Sequence, residues 1–340
     1  MKKTTIAAIG LIMANLTSYS QGTDSAEIYF QKGIEEKTAK HFLQASKHFD
    51  KAIQFNANYK EAYLENGYVN LEMRKTDAAR AHFTKVYEMD PNNMAAVKEL
   101  MDLSYNYRQF AKASELAAKC KGCQGTDKVL GMSAYQQEDY GTAIKMLGTY
   151  LAKNPTDAEA TYIMARSHLD MEDYKGAVPF YNKAVALDTE KNAWAYELGL
   201  LYYNNDDFKN AVVFFNKAAE KGYNRSNDFN ENLGYANIYA GNFDEGEKLL
   251  LQVLQRKPNN KELLRDMAEA YYKVNNFNKS LDYCQKLMEM DMKDGKALYQ
   301  AGLCFQKMGQ KDKGQAMCDK AIEMDPSLNN LRQKSMTMGL

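Results

Sequence analysis

At 340 residues the chain is long enough for one or two globular domains or for one extended repeat array. Its 44 lysines and arginines balance its 44 aspartates and glutamates, which leaves no electrostatic reason to expect nucleic acid or anionic lipid as the main partner. Five prolines are few, 24 tyrosines are many, and a composition rich in Ala, Lys, Glu, Leu and Met favours helix over strand.

The first twenty residues read as an address rather than as part of a fold. Lys2 and Lys3 precede an apolar run from Ile6 to Leu16, and Ser18 and Ser20 place small residues at minus three and minus one before Gln21. This is the layout of a secretory signal peptide cut after about residue 20. A retained anchor is the alternative, but roughly a dozen apolar residues are short against the ~20 of a spanning helix. No cysteine follows the run, so acylation is not expected, and no later stretch is apolar enough to span a bilayer. The mature protein is expected to be secreted or periplasmic, with residues 21–25 as a short lead-in.

From Ala26 onward the chain repeats. Windows of 34 residues start at Ala26, Lys60, Met94, Gln124, Ala158, Asn192, Asn227, Lys261 and Gly295, the third being four residues short. The eighth position reads Gly33, Gly67, Met101, Gly131, Ala165, Gly199, Gly234, Ala268 and Gly302. The twentieth is small throughout: Ala45, Ala79, Ala113, Ala143, Ala177, Ala211, Gly246, Ser280 and Gly314. The seventeenth is aromatic at Phe42, Phe110, Tyr140, Tyr174, Phe208, Phe243 and Phe277, and Pro91, Pro155, Pro258 and Pro326 share the thirty-second. Small residues let two helices approach closely, and proline after a helix stops it. Pro179 alone falls inside an expected second helix, which it should kink or whose start it should shift.

This pattern, clearest at 63–93 and 232–260, resembles the tetratricopeptide repeat (TPR) family over residues 26–328. The resemblance implies an all-α, right-handed superhelical solenoid of about nine helix-turn-helix repeats, with residues 329–340 as a short cap or tail. One helix pair cannot bury its own apolar face, so each repeat must stack on the next.

Catalytic signatures are missing: there is no GxSxG, no phosphate-cradling glycine loop, no HExxH and no GxGxxG before a helix. An enzyme is not expected, nor a cofactor. His48 and His82 share the twenty-third position of adjacent repeats, but two imidazoles without a third ligand make a poor metal site and read as solvated surface histidines. His168 is expected in the core. Cys120 and Cys123 form a CxxC that closes a helix rather than opening one, which fits a local disulfide better than a redox centre. Cys284, Cys304 and Cys318 are expected to pack as small apolar residues.

In TPR proteins the second, fifth, ninth, twelfth and thirteenth positions of the first helices line a concave groove. The resemblance places there Tyr68, Tyr105, Tyr135, Tyr162, Arg166, Tyr196, Tyr203, Tyr235, Tyr239, Arg265, Tyr272 and Tyr299. Tyr68, Tyr235, Arg166 and Arg265 stand out as open positions, while about half of the tyrosines are expected to pack between repeats. Glu65 and Tyr68 occupy positions where the carboxylate-clamping TPR pattern wants asparagine, so that clamp is not expected. Tyrosine gives a broad, rigid apolar face with one hydroxyl, suited to peptides and, as the alternative, to glycan or cell-wall rings. The expected function is an extracytoplasmic scaffold holding a protein segment. After Pro326 too little chain remains to cover the last helix, so an open face near Ala316, Ala321 and Met324 is expected to support docking or self-association.

Overall fold

The computed structural model of the protein describes residues 25–120 and 122–330. The signal sequence expected at residues 1–20 lies outside them, as does nearly all of the cap or tail expected at residues 329–340. The described secondary structure is entirely helical, without a strand among the described residues, and the helices pack in consecutive pairs. The chain divides into two compact units after Phe180. In the first, α1 (residues 25–38) pairs with α2 (Phe42–Phe55), α3 (Lys60–Glu72) with α4 (Thr76–Met89), α5 (Met94–Asn106) with α6 (Phe110–Lys119), and α7 (Thr126–Gln136) with α8 (Tyr140–Lys153). Then α9 (Ala158–Asp170) leads into α10 (Tyr174–Leu187), within which the division falls. The second unit pairs α11 (Asn192–Asn204) with α12 (Phe208–Glu220), α13 (Asn227–Ala240) with α14 (Phe243–Arg256), α15 (Lys261–Lys273) with α16 (Phe277–Met290), and α17 (Gly295–Lys307) with α18 (Lys311–Met324).

The small residues set how closely each pair approaches. A methyl group added at Gly67 would lie 2.5 Å from the Phe83 ring, and one at Gly199 would lie 2.6 Å from Phe215. The eighth position is thus the seat of the twenty-fourth side chain of the same repeat. The third repeat swaps the volumes: Met101 is the large partner and Ala117 the small one, both buried. That exchange keeps the interior filled where glycine is absent. At the twentieth position Ala45, Ala79, Ala113, Ala143 and Ala211 are wholly buried, and a methyl on Gly246 would meet the Gly234 carbonyl oxygen at 2.7 Å.

Each pair is joined by the same turn. Its second residue has a left-handed backbone in every repeat: Lys40, Arg74, Arg108, Glu138, Glu172, Asp206 and Asn275 at φ near 60°, with Gly241 and Gly309 at 92° and 86°. The following amide reaches back five residues, as Lys75 N–H does to the Asn70 carbonyl (2.8 Å) and Asn242 N–H to Asn237 (2.8 Å). This Schellman-type ending satisfies carbonyls that the first helix would otherwise orphan. The second helix then starts at the seventeenth position, whose aromatic closes the end of the pair: Tyr105 meets Phe110 edge-on at 5.8 Å, and Tyr203 meets Phe208 at 5.4 Å.

Pro179 lies inside its helix as expected: α10 begins at Tyr174 and runs through it, so the start is not shifted, and the chain forgoes one amide hydrogen bond there. Two expectations are corrected. The fourth repeat's first helix begins at Thr126, two residues into its window, because α6 has ten residues rather than the fourteen of α4 and α8. A loop tied by the Cys120–Cys123 disulfide, with Gly122 and Gly125 at positive φ, replaces its last turn. At the C-terminal end Ala321 is not open: the 3-10 turn Pro326–Leu328 folds Leu328, 2% exposed, onto Tyr299, Cys318 and Ala321. Only Ala316 and Met324 of the expected face remain exposed.

Ala211→Leu should lower unfolding free energy by about 1–3 kcal/mol, because the added volume has no space against α11. Urea denaturation with an unchanged midpoint would show that the helix pairing is not as described.

Candidate functional site

Within the first unit α5, α7 and α9 are neighbours, and within the second α13, α15 and α17. First helices therefore lie side by side in each unit, and their residues at spacings of three and four share a face. All of the groove candidates sit on these helices, but none is a freely exposed ring. In the first unit Tyr68 is half-buried edge-on to Phe83 (5.3 Å), and Tyr105 bridges the cores on either side of it. The Tyr135 hydroxyl donates to Asp170 (3.0 Å), Arg166 lies 3.6 Å from the same carboxylate, and Tyr162 packs beside Met132 and Met164.

In the second unit Tyr196 is enclosed: Tyr223 stacks on it at 4.4 Å and Phe229 at 5.6 Å, while Asn232 donates to its hydroxyl (2.9 Å). Tyr203, Phe208 and Tyr239 form a half-buried aromatic group, with Tyr239 4.7 Å from Phe208 and 6.3 Å from Tyr203. Tyr272 is held edge-on by Phe277. Tyr299 is 6% exposed and belongs to the core under Leu328, so it is removed from the groove. Two of the four residues that stood out as open are structural. Arg265 pairs with Asp294 at 2.7 Å, and the Asp294 side chain is only 3% exposed. Tyr235 has its hydroxyl buried without a hydrogen-bond partner.

The histidines differ from expectation as well. His48 and His82 are not solvated; each is half-buried against a tyrosine ring, Tyr29 at 6.0 Å and Tyr63 at 5.9 Å, and burial lowers the pKa of His82. His168 is half-buried rather than core, stacked on Phe180 and 2.9 Å from Asp173. Cys284, Cys304 and Cys318 are buried and outside the disulfide, and burial pushes the Cys284 thiol up to about 12. No three His, Cys, Asp or Glu side chains among the described residues gather as a metal would need, and no described helix is long and apolar enough to cross a membrane.

Sequence reasoning missed the carboxylates around these rings. Glu231 and Asp266 both titrate above the ordinary carboxylate range: Glu231 first through partial burial and then through Asp228 and Asp266, and Asp266 first through partial burial and then through Glu269 and Glu262. Burial is also the first cause raising the Tyr135 and Tyr203 phenols to about 12. A phenol ionises near 10 in an unfolded chain. A folded-state value above that contributes stability present below pH about 10 and lost as pH rises toward 12. Phenolate absorbance should therefore rise in two phases, the second coinciding with loss of helix; a single phase near pH 10 with helix intact would show these hydroxyls to be solvated.

Known tetratricopeptide repeat models match residues 60–93, 129–192, 164–225 and 295–328. A curated relative, RNA polymerase II-associated protein 3 of Rattus norvegicus, is 25% identical over 153 residues, and the matched part spans 40% of this chain and 22% of that protein. Among solved structures the P58(IPK) TPR domain is similar at 16% identity over 91% of this chain and 95% of that one, with a TM-score of 0.29. Yeast Tom70 is similar at 14% identity over 88% and 85%, with a TM-score of 0.31. The family matches fall on helix pairs that share one turn and one packing rule, and over those residues the chain matches the tetratricopeptide repeat.

Proposed function

We propose that the protein is an exported scaffold or adaptor that holds a segment of another protein against the tyrosine-bearing face of its first helices. The observation that carries this reading is the bracing of the half-buried rings. Tyr105, Tyr203 and Tyr272 are each fixed edge-on by the aromatic that opens the second helix of their own repeat. Rings ordered before binding lose little entropy when a partner arrives. Tetratricopeptide arrays serve as protein-interaction scaffolds, which supports a binding role over catalysis. A glycan-binding role is less favoured, because the ring faces that sugars would stack on are occupied within the fold, as at Tyr196.

Export rests on the leader pattern of residues 2–20, and the Cys120–Cys123 disulfide is consistent with an oxidising compartment. Sequencing the N-terminus of the protein recovered outside the cytoplasm should begin near Gln21; recovery only of chains starting at Met1 would remove export by cleavage. Self-association through the ninth repeat is confined to exposed Met308, Ala316 and Met324, and sedimentation of the chain tests it.

Tyr105→Ala and Tyr239→Ala, one in each unit, should each weaken binding of a captured peptide by about 1–2 kcal/mol. Circular dichroism should show helix content retained. Full affinity in both variants would move the binding surface off the first helices.

A further inference from the structure

The chain is neutral as a whole, but its charge is not evenly distributed among its helices. In the second unit α11, α13 and α15 carry six carboxylates and three cationic side chains, whereas α12, α14 and α16 carry six of each. The three cations on the first helices are already engaged: Lys261 with Asp291 (3.2 Å), Arg265 with Asp294 (2.7 Å) and Lys273 with Glu269 (2.8 Å). That leaves Asp228, Glu231, Glu262 and Asp266 without an ion pair among the described residues. The first unit repeats the bias by itself, with eight carboxylates to four lysines and arginines on α3, α5, α7 and α9 and the reverse excess on α4, α6 and α8.

Helix geometry aligns these charges with the rings. Glu231, Tyr235 and Tyr239 succeed one another at intervals of four on α13, and Glu262, Asp266 and Glu269 at four and three on α15, so each set shares one face. Tyr203 of α11 reaches Tyr239 at 6.3 Å, which brings an aromatic wall beside that face. Tyr235 belongs to the same group: burial first, then the nearby Asp266 and Glu231 carboxylates, raise its phenol, and its hydroxyl is buried within the wall rather than open to a ligand. On the C-terminal side α17 bears Lys296 and Lys307 and no carboxylate, which bounds the acidic strip.

We propose that the face of α11, α13 and α15 binds a lysine- or arginine-bearing peptide segment. Glu231, Glu262 and Asp266 pair with its cationic groups, and Tyr203 and Tyr239 take the apolar stems of those side chains. Aromatic faces beside carboxylates suit both parts of a lysine or arginine, the stem and the charge. Uncompensated carboxylates speed encounter with such a segment and reject acidic ones. This rests on the peptide-binding reading above and adds to it the chemistry of the partner.

Three labelled peptides of one length, lysine- and arginine-rich, neutral, and aspartate- and glutamate-rich, are titrated against the full chain by fluorescence anisotropy. The basic peptide should bind and should weaken as salt is raised past the point where the screening length falls to about 10 Å. Combined Glu231→Gln, Glu262→Gln and Asp266→Asn should weaken it at least about tenfold, while Lys209→Gln on α12 should not change it. Exposed Glu262→Gln alone, which leaves the packing untouched, should give a smaller loss in the same direction. Neutral or acidic peptides binding as tightly, with the triple variant unaffected, would overturn the basic partner and leave the peptide reading standing. No binding by any of the three would overturn both.

Discussion

The fold depends on how closely two helices of one repeat approach each other. A methyl group at Gly67, Gly199 or Gly234 of the eighth position would fall within 3.0 Å of the facing side chain, and one at Gly246 of the twentieth would meet the Gly234 carbonyl oxygen. Close approach seats one bulky side chain, Phe49, Phe83, Leu147, Phe215 or Leu250, over the glycine of its partner helix. It also brings both helices to the surface that the neighbouring repeat covers. The exchange of Met101 and Ala117 shows that the constraint is on summed volume, not on glycine as such.

The second constraint is the turn. A left-handed residue is needed at one place in every repeat, and the chain supplies glycine there only twice. Lysine, arginine, glutamate and aspartate accept the strain, of order 1–2 kcal/mol each, because the Schellman-type hydrogen bonds and the aromatic at the next helix start hold the backbone in place. In the repeat that is cut short Arg108 still makes this turn, and the Cys120–Cys123 disulfide ties the chain at the following junction, between α6 and α7.

Function on such a scaffold is a matter of what is left over once packing is satisfied. The tyrosines of the first helices serve two ends: part of each ring fills the contact between neighbouring helices, and the rest forms a firm surface. Charge is apportioned similarly. On α11, α13 and α15 each lysine and arginine is matched to a carboxylate, one of them the deeply buried Asp294, so the charge surplus of these helices is negative.

The sequence by itself determined the repeat, its period and its helical character, because spacing of small, aromatic and proline residues is a local property of the chain. It located the CxxC at the end of a helix for the same reason. The tertiary structure alone decided which groove residues are available. Tyr299 stands in register with the other candidates, yet Leu328, twenty-nine residues later, folds over it and makes it core. Arg265 looks open until Asp294, which caps the start of α17, is brought to 2.7 Å. Ala321 looks uncovered until the same Leu328 closes on it. In each case the deciding partner lies on another element, and burial belongs to the pair of elements rather than to the residue. The acidic surplus was hidden in the same way, because a balanced total says nothing about which helices hold the unpaired charges.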